Sequence, residues 1–330
     1  MPSRLRFTAD DLWLALMVAI WGLNLSVLKV VFRQVTPLAA NAVRFAVSSL
    51  AFVGLILWLE GARRRPGDVA RDRRRGLLEP GDWPRVVGLG LLGHTGYQMC
   101  FVLGLNRTTA THSALIFGTS PLVVALLSTW MGHERVGWSI WAGLVSSATG
   151  VALTVSGQQN RSGQVQSTLS GDALILTAVL LWAGYSVLSK PLLSRYSPLR
   201  LTGLTIVGGT LPLVLVAVPD IARLDWGAVG LTTWAGLAFS TLLAVVLCYV
   251  IWYRSVARVG NARTAVYGNL VPVAGAGFAA WLLGERVSGQ LALGAIFIFG
   301  GIALTRWSQR QRPHVPPQSA ETPAEPAFEL

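Results

Sequence analysis

The stretch IWGLNLSVLK, Ile20 to Lys29, decides how this chain is read. It is apolar apart from an asparagine and a closing lysine, and nearly the same string returns as LWAGYSVLSK, Leu181 to Lys190. A signal sequence has no reason to recur in mid-chain, so the recurrence needs a structural cause. An offset of 161 brings Asp11 onto Asp172, Trp21 onto Trp182, Lys29 onto Lys190 and Pro37 onto Pro198. Later the offset is 151, and Arg107 meets Arg258, Pro121 meets Pro272, Trp130 meets Trp281 and Gly143 meets Gly294. Glu134-Arg135-Val136 likewise repeats as Glu285-Arg286-Val287. The ten-residue difference between the offsets falls in a basic loop after the second apolar run.

The chain has 330 residues, 52% hydrophobic and 13% charged, against about 25% charged in a soluble domain. Much of its surface must face something other than water. A spanning helix needs about 20 apolar residues. Ten such runs are read, at 11–34, 37–60, 83–105, 109–131, 138–157, 171–191, 198–218, 227–252, 262–283 and 288–308. Breakers separate them: Thr36-Pro37, Pro80-Gly81, Gly132, Gly157, Ser197-Pro198, Pro219 and Gly284. The expected fold is an all-α polytopic membrane protein of ten transmembrane helices. Each copy of the repeat holds five. Five is odd, so the second copy enters the membrane from the opposite side, which is a transporter architecture. The expected organisation is an N-terminus at 1–10, a first five-helix repeat at 11–157, an outer linker at 158–170, a second repeat at 171–308 and a disordered tail at 309–330. That tail is rich in Pro, Gln and Glu and has no material for a packed core.

The net charge of +12 is not spread like a nucleic-acid footprint. It sits in short clusters between apolar runs, notably Arg63 to Arg65 and Arg71 to Arg75. The expected partner is the anionic inner leaflet, not DNA or RNA. With the N-terminus inside, inner segments hold about 20 of the Lys and Arg residues and outer loops about five. Both termini are therefore expected in the cytoplasm, in a multi-pass protein of the inner (plasma) membrane. The first run is too long for a cleaved signal and is interrupted by Asn24 and Lys29. Two cysteines, Cys100 and Cys248, fall inside apolar runs and are too few for a disulfide framework.

The W-x-x-N-x-x-x-x-K pattern of Trp21 to Lys29 and the Pro-x(6)-Arg-Phe of Pro37 to Phe45 resemble the EamA-type branch of the drug/metabolite transporter (DMT) superfamily. So do the blocks Pro121 to Gly143 and Pro272 to Gly294. The resemblance covers about residues 10 to 308. It implies ten helices in inverted halves and export of amino acids or other small metabolites by alternating access. Within the branch the chain looks most like the YddG-type exporters of aromatic and other neutral amino acids.

Depth follows from a rise of about 1.5 Å per residue. It puts Trp21, Trp182 and His94 near the midplane, where inverted-repeat transporters hold their substrate. His94, Tyr97, Gln98 and Phe101 follow i, i+3, i+4, i+7 spacing and share a helix face. His94 and Gln98 would bond an ammonium or carboxylate, and Tyr97 would stack on a side chain; the alternative is an interhelical hydrogen bond. Trp21 and Trp182 would form paired aromatic walls, or pack helices about the repeat axis. Asn24 and Tyr185 share their faces. Arg44, about 10 Å inside the membrane, needs a partner: a substrate carboxylate, or helix-end carbonyls. Lys29 reads as an interfacial anchor. Glu134 and Glu285 read as carboxylates at the starts of the fifth and tenth helices, and Pro121 and Pro272 as breaks that free carbonyls.

No Asp or Glu lies in the central part of any run, so His94 is the mid-membrane group available for any proton coupling. Metal-ligand spacings, paired carboxylates and nucleophile triads are missing, and His94 and His112 are read as standing alone. No cofactor or metal is expected, and no enzyme. The competing functions are efflux of cationic or aromatic drugs, which a buried carboxylate would favour, and a membrane scaffold or lipid-handling protein. Substrate, energy source and oligomeric state are not readable from the sequence.

Overall fold

The computed structural model describes residues 9–63, 78–131, 138–156, 169–252, 254–255, 258, 267–268, 270–285 and 288–310, for some of them the backbone alone. The second basic cluster, Glu134-Arg135, Arg286 and most of the expected linker and tail lie outside the described residues. Besides short helical turns at Lys190–Leu193 and Trp226–Ala228, ten longer helices follow in order among those described. They are α1 (Ala9–Val31), α2 (Pro37–Arg63), α3 (Pro80–Arg107), α4 (Ala110–Trp130), α5 (Trp138–Ser156), α6 (Leu169–Leu188), α7 (Pro198–Arg223), α8 (Leu231–Trp252), α9 (Val271–Leu283) and α10 (Gly289–Arg310). Seven of these, α1 to α4 and α6 to α8, are long and apolar enough to cross a membrane. At about 1.5 Å per residue the 23 residues of α1 reach about 34 Å, enough for a hydrocarbon core of about 30 Å.

Proline behaves differently from its reading as a breaker. Pro219 lies inside α7, which continues to Arg223, and Pro212 lies inside it too; in an apolar bundle neighbouring groups meet the freed carbonyls. Pro37 and Pro198 open α2 and α7 instead, where the missing N–H costs nothing. Pro121 and Pro272 also sit in first turns. The first follows a break in α4 at Gly118-Thr119, and the second opens α9. The carbonyls freed in α4 are taken by local hydroxyls: Thr119 Oγ1 donates to Ile116 O at 2.7 Å and Ser120 Oγ to Phe117 O at 2.7 Å. The expected tail also starts later than Gln309, since α10 runs through Arg310.

Two helices widen in mid-course. Leu91–Gly96 of α3 and Phe239–Leu247 of α8 are π-helical. The offset of 151 carries Leu91 to Leu242 and Gly96 to Leu247, so the two π turns occupy equivalent positions. A π turn inserts a residue into the helix and is often found at functional sites.

Packing crosses between the two copies of the repeat. α3 lies on α6 and α7, α8 lies on α1 and α2, α9 joins α1 to α4, and α5 pairs with α10. Glycines permit the close approaches. A Cβ on Gly90 would come within 2.8 Å of the Gly209 backbone nitrogen, and one on Gly22 within 2.9 Å of that of Gly275. α2 and α7 meet where Ser49 and Thr210, equivalent through the offset of 161, share a 2.7 Å hydrogen bond. Phe45, Phe52, Ile206 and Leu213, themselves two equivalent pairs, fill the core beside that bond.

Candidate functional site

The polar face expected on α3 is buried. His94 has no exposed surface and Gln98 is 6% exposed. His94 Nε2 lies 3.1 Å from Thr205 Oγ1 of α7, and the Tyr185 hydroxyl of α6 lies 3.2 Å from the same oxygen. Thr205 gives its own hydrogen to Thr202 O at 3.0 Å. All three bonds hold together only if Nε2 and the tyrosine both donate to Thr205. That assigns the Nε2–H tautomer to His94 and leaves Nδ1 a bare acceptor. Among the described residues Nδ1 has no partner, and neither has Gln98 Oε1.

A second set of unpartnered atoms lies on α2, which packs on α3. Arg44 is 2% exposed. It donates from one terminal nitrogen to Asn41 Oδ1 at 3.1 Å, while its Nε, Asn41 Nδ2 and Ser48 Oγ have no partner. No ion pair of Arg44 occurs among the described residues, and its side chain reaches no helix-end carbonyl there. Its guanidinium sits 6.0 Å from the Phe45 ring, which is 6.1 Å from the His94 ring. Buried polar atoms without partners are costly, and among the described residues all of them but Ser26 Oγ of α1 lie on these two packed helices.

Aromatic rings flank them. Tyr97 is 5.3 Å from Trp182 and 6.1 Å from Phe101, and Phe101 is 5.5 Å from Phe117. Trp182 also lies 5.5 Å from Tyr185. Trp21 is separate from this group. Its Nε1 donates to Ala244 O in the π turn of α8 at 2.8 Å, and its ring lies against Tyr249 and Trp252. The two tryptophans, expected as paired aromatic walls or as packing about the repeat axis, thus each lie against the widened helix beside them. Asn24 is committed as well: its Oδ1 accepts from Ser240 Oγ of α8 at 2.6 Å.

Two expectations change at one end of the bundle. His112 does not stand alone. Its Nδ1 is 3.3 Å from Asp172 Oδ2, and Thr108 Oγ1 donates to the same carboxylate, tying the start of α4 to α6. Glu285 accepts from the backbone N–H of Ala110 and of Thr111, both at 2.8 Å, and from Thr111 Oγ1 at 2.5 Å. It caps α4, not the α10 it precedes, because the unsatisfied donors at the start of α4 point at it. Lys29, expected as an interfacial anchor, donates to Asn106 O near the end of α3 at 3.4 Å. The groove between α1 and α9, lined by Ala15, Val18, Ala274, Phe278 and Trp281, is apolar and holds none of the unpartnered atoms.

The model of the "EamA-like transporter family" matches residues 9–156 and again 169–307. The chain belongs to the EamA-like transporter family. It is a membrane transporter, not an enzyme. An uncharacterized transporter of Archaeoglobus fulgidus is 29% identical over 310 residues, 91% of this chain and 98% of that one. Proteins named "Probable amino-acid metabolite efflux pump" in Escherichia coli and Salmonella typhimurium are 26% and 25% identical over 92% of this chain and 96% of each of them. A solved structure at 20% identity superposes with a TM-score of 0.59, covering 92% of this chain and 98% of that one, and shares the fold.

In this EamA-like transporter the sequence reading missed Asn41, Ser48 and Thr205. Asn41 and Ser48 follow i, i+3, i+7 spacing with Arg44 on α2, a signal as regular as the one noticed on α3. Thr205 is the offset partner of Arg44, since 44 plus 161 is 205.

Proposed function

We propose that this transporter exports small metabolites, aromatic and other neutral amino acids among them, by alternating access around a midplane pocket. The observation that carries the reading is the set of buried, unpartnered polar atoms on His94, Gln98, Arg44 and Asn41 beside the Tyr97–Trp182 aromatic group. Hydrogen-bonding capacity of this kind, placed in mid-membrane, marks a substrate path. Trp21, Asn24 and Tyr185 belong to its frame: each already has a partner across a helix interface. The amino-acid efflux named for the Escherichia coli and Salmonella relatives agrees with this substrate class.

The architecture proposed for it is ten spanning helices in two inverted five-helix repeats, at 11–157 and 171–308, with both termini in the cytoplasm. The paired family matches, the equivalent π turns and the Ser49–Thr210 bond between offset partners support that reading. A residue touches its own equivalent only beside the twofold relating the copies. Alternation would tilt α3 and α6 against α1 and α8. Cationic drugs are the weaker reading, because Arg44 adds a positive charge and forms no ion pair with a carboxylate among the described residues.

Efflux from proteoliposomes preloaded with labelled phenylalanine, threonine or leucine tests the proposal. Saturable efflux should fall about tenfold or more in His94→Ala and in Gln98→Leu, since each removes a bond to a charged substrate group. Efflux unchanged in both variants, from folded protein, would move the site away from α3.

A further inference from the structure

The unpartnered atoms divide by chemistry. On α3, His94 Nδ1 and Gln98 Oε1 are acceptors. On α2, Arg44 Nε and Asn41 Nδ2 are donors, and the Ser48 hydroxyl can donate. We propose that the α2 face formed by Asn41, Arg44 and Ser48 is a carboxylate-binding site, which restricts the substrates of this transporter to molecules carrying an anionic group. The inference rests on the export reading above and names the charge class of its substrate.

Three observations support it. Arg44 is buried, and a guanidinium in that position needs acceptors for its donors, of which Asn41 supplies one. Asn41 Oδ1 holds one terminal nitrogen at 3.1 Å, which fixes the plane of the fork and leaves Nε free for an incoming carboxylate. The acceptors on α3 lie across the helix interface, so a zwitterion would place its carboxylate on α2 and its ammonium on α3. Asn41 is then a positioning residue acting through Arg44. The equivalent position in the second copy is Thr205, already engaged with His94 and Tyr185, so the two halves are not interchangeable as anion sites. A small inorganic anion satisfies the same donors, and the test separates the two.

Thermal unfolding and ligand competition on the purified full-length protein decide it, with phenylalanine, 3-phenylpropanoate, phenylalanine amide and 2-phenylethylamine as probes. Chloride is compared with methanesulfonate at constant ionic strength. Phenylalanine and 3-phenylpropanoate should stabilise the protein, and the amide and amine should bind about 30-fold more weakly or worse. Arg44→Gln should abolish the preference. Arg44→Lys, which keeps the charge but not the fork, should retain part of it, and Asn41→Ala should shrink the ratio of carboxylate to amide affinity. If Arg44 variants do not fold, the ligand series on the wild type still decides. Equal binding of amide and carboxylate overturns the proposal, as does absence of binding by every probe. Saturation by chloride that 3-phenylpropanoate cannot compete away also overturns it, in favour of an inorganic anion. Arg44-dependent binding of 3-phenylpropanoate without amino-acid efflux leaves the carboxylate site standing and removes the amino-acid reading. Efflux of phenylalanine and of 2-phenylethylamine alike, both unaffected by Arg44→Gln, does the reverse.

Discussion

Thr205 has no exposed surface, and one hydroxyl serves three bonds: it receives from His94 and Tyr185 and gives to Thr202 O. Thr205→Val keeps the shape and removes the acceptor, stranding two buried donors. The cost should be about 2–4 kcal/mol of stability, read as a lowered unfolding temperature, and Thr205→Ser should restore most of it. A change no larger than for a surface substitution would mean that His94 and Tyr185 are held by packing alone. At this scale the sequence revealed residue type and helix face but not commitment. Asn24 and Gln98 look alike as isolated amides in apolar runs, yet Asn24 is spoken for by Ser240, 216 positions away, while Gln98 Oε1 is bare. Which amide has a partner depends on tertiary contacts that no local spacing carries.

Elements were legible where periodicity and length are sufficient and obscure where hydrogen bonding changes register. Apolar runs mark α1 to α4 and α6 to α8 well because lipid demands about 20 apolar residues. They say nothing of the π turns in α3 and α8, whose residues look like any other helix. The role of Glu285 was similarly hidden. A carboxylate after α9 and before α10 reads as a cap for α10, but the donors it satisfies belong to α4. Glu285→Gln keeps the length and loses the charge, so the bonds to Ala110 and Thr111 weaken to neutral strength. Hydrogen exchange at those two amides should accelerate about tenfold, with amides of α5 unchanged as a control. Unchanged exchange at Ala110 and Thr111 would show that the α4 terminus is protected by burial and not by this carboxylate.

At the scale of the whole molecule the recurrence of one short string carries the argument furthest, because it predicts relations between distant helices. If the copies are inverted, equivalent positions face opposite sides of the membrane. Ser194, in the turn after α6, and Asp225, between α7 and α8, are both exposed and lie at opposite ends of α7. With the termini inside, Ser194 is cytoplasmic and Asp225 external. In a background of Cys100→Ala and Cys248→Ala, a membrane-impermeant maleimide should label Asp225→Cys in intact cells, and Ser194→Cys only after permeabilisation. Gln34, which bonds to Gly230 N and Thr233 Oγ1 at the start of α8, provides an independent check, since Gln34→Cys must label from the same side as Asp225→Cys. Labelling of Ser194→Cys in intact cells would reverse the orientation assigned from arginine and lysine placement. It would leave the proposed pocket where it is, because a site beside the proposed twofold would lie at the same depth from either face. Under the proposed alternating access, orientation would decide which side of the membrane each repeat faces, and the solute gradient would decide the direction of net flow.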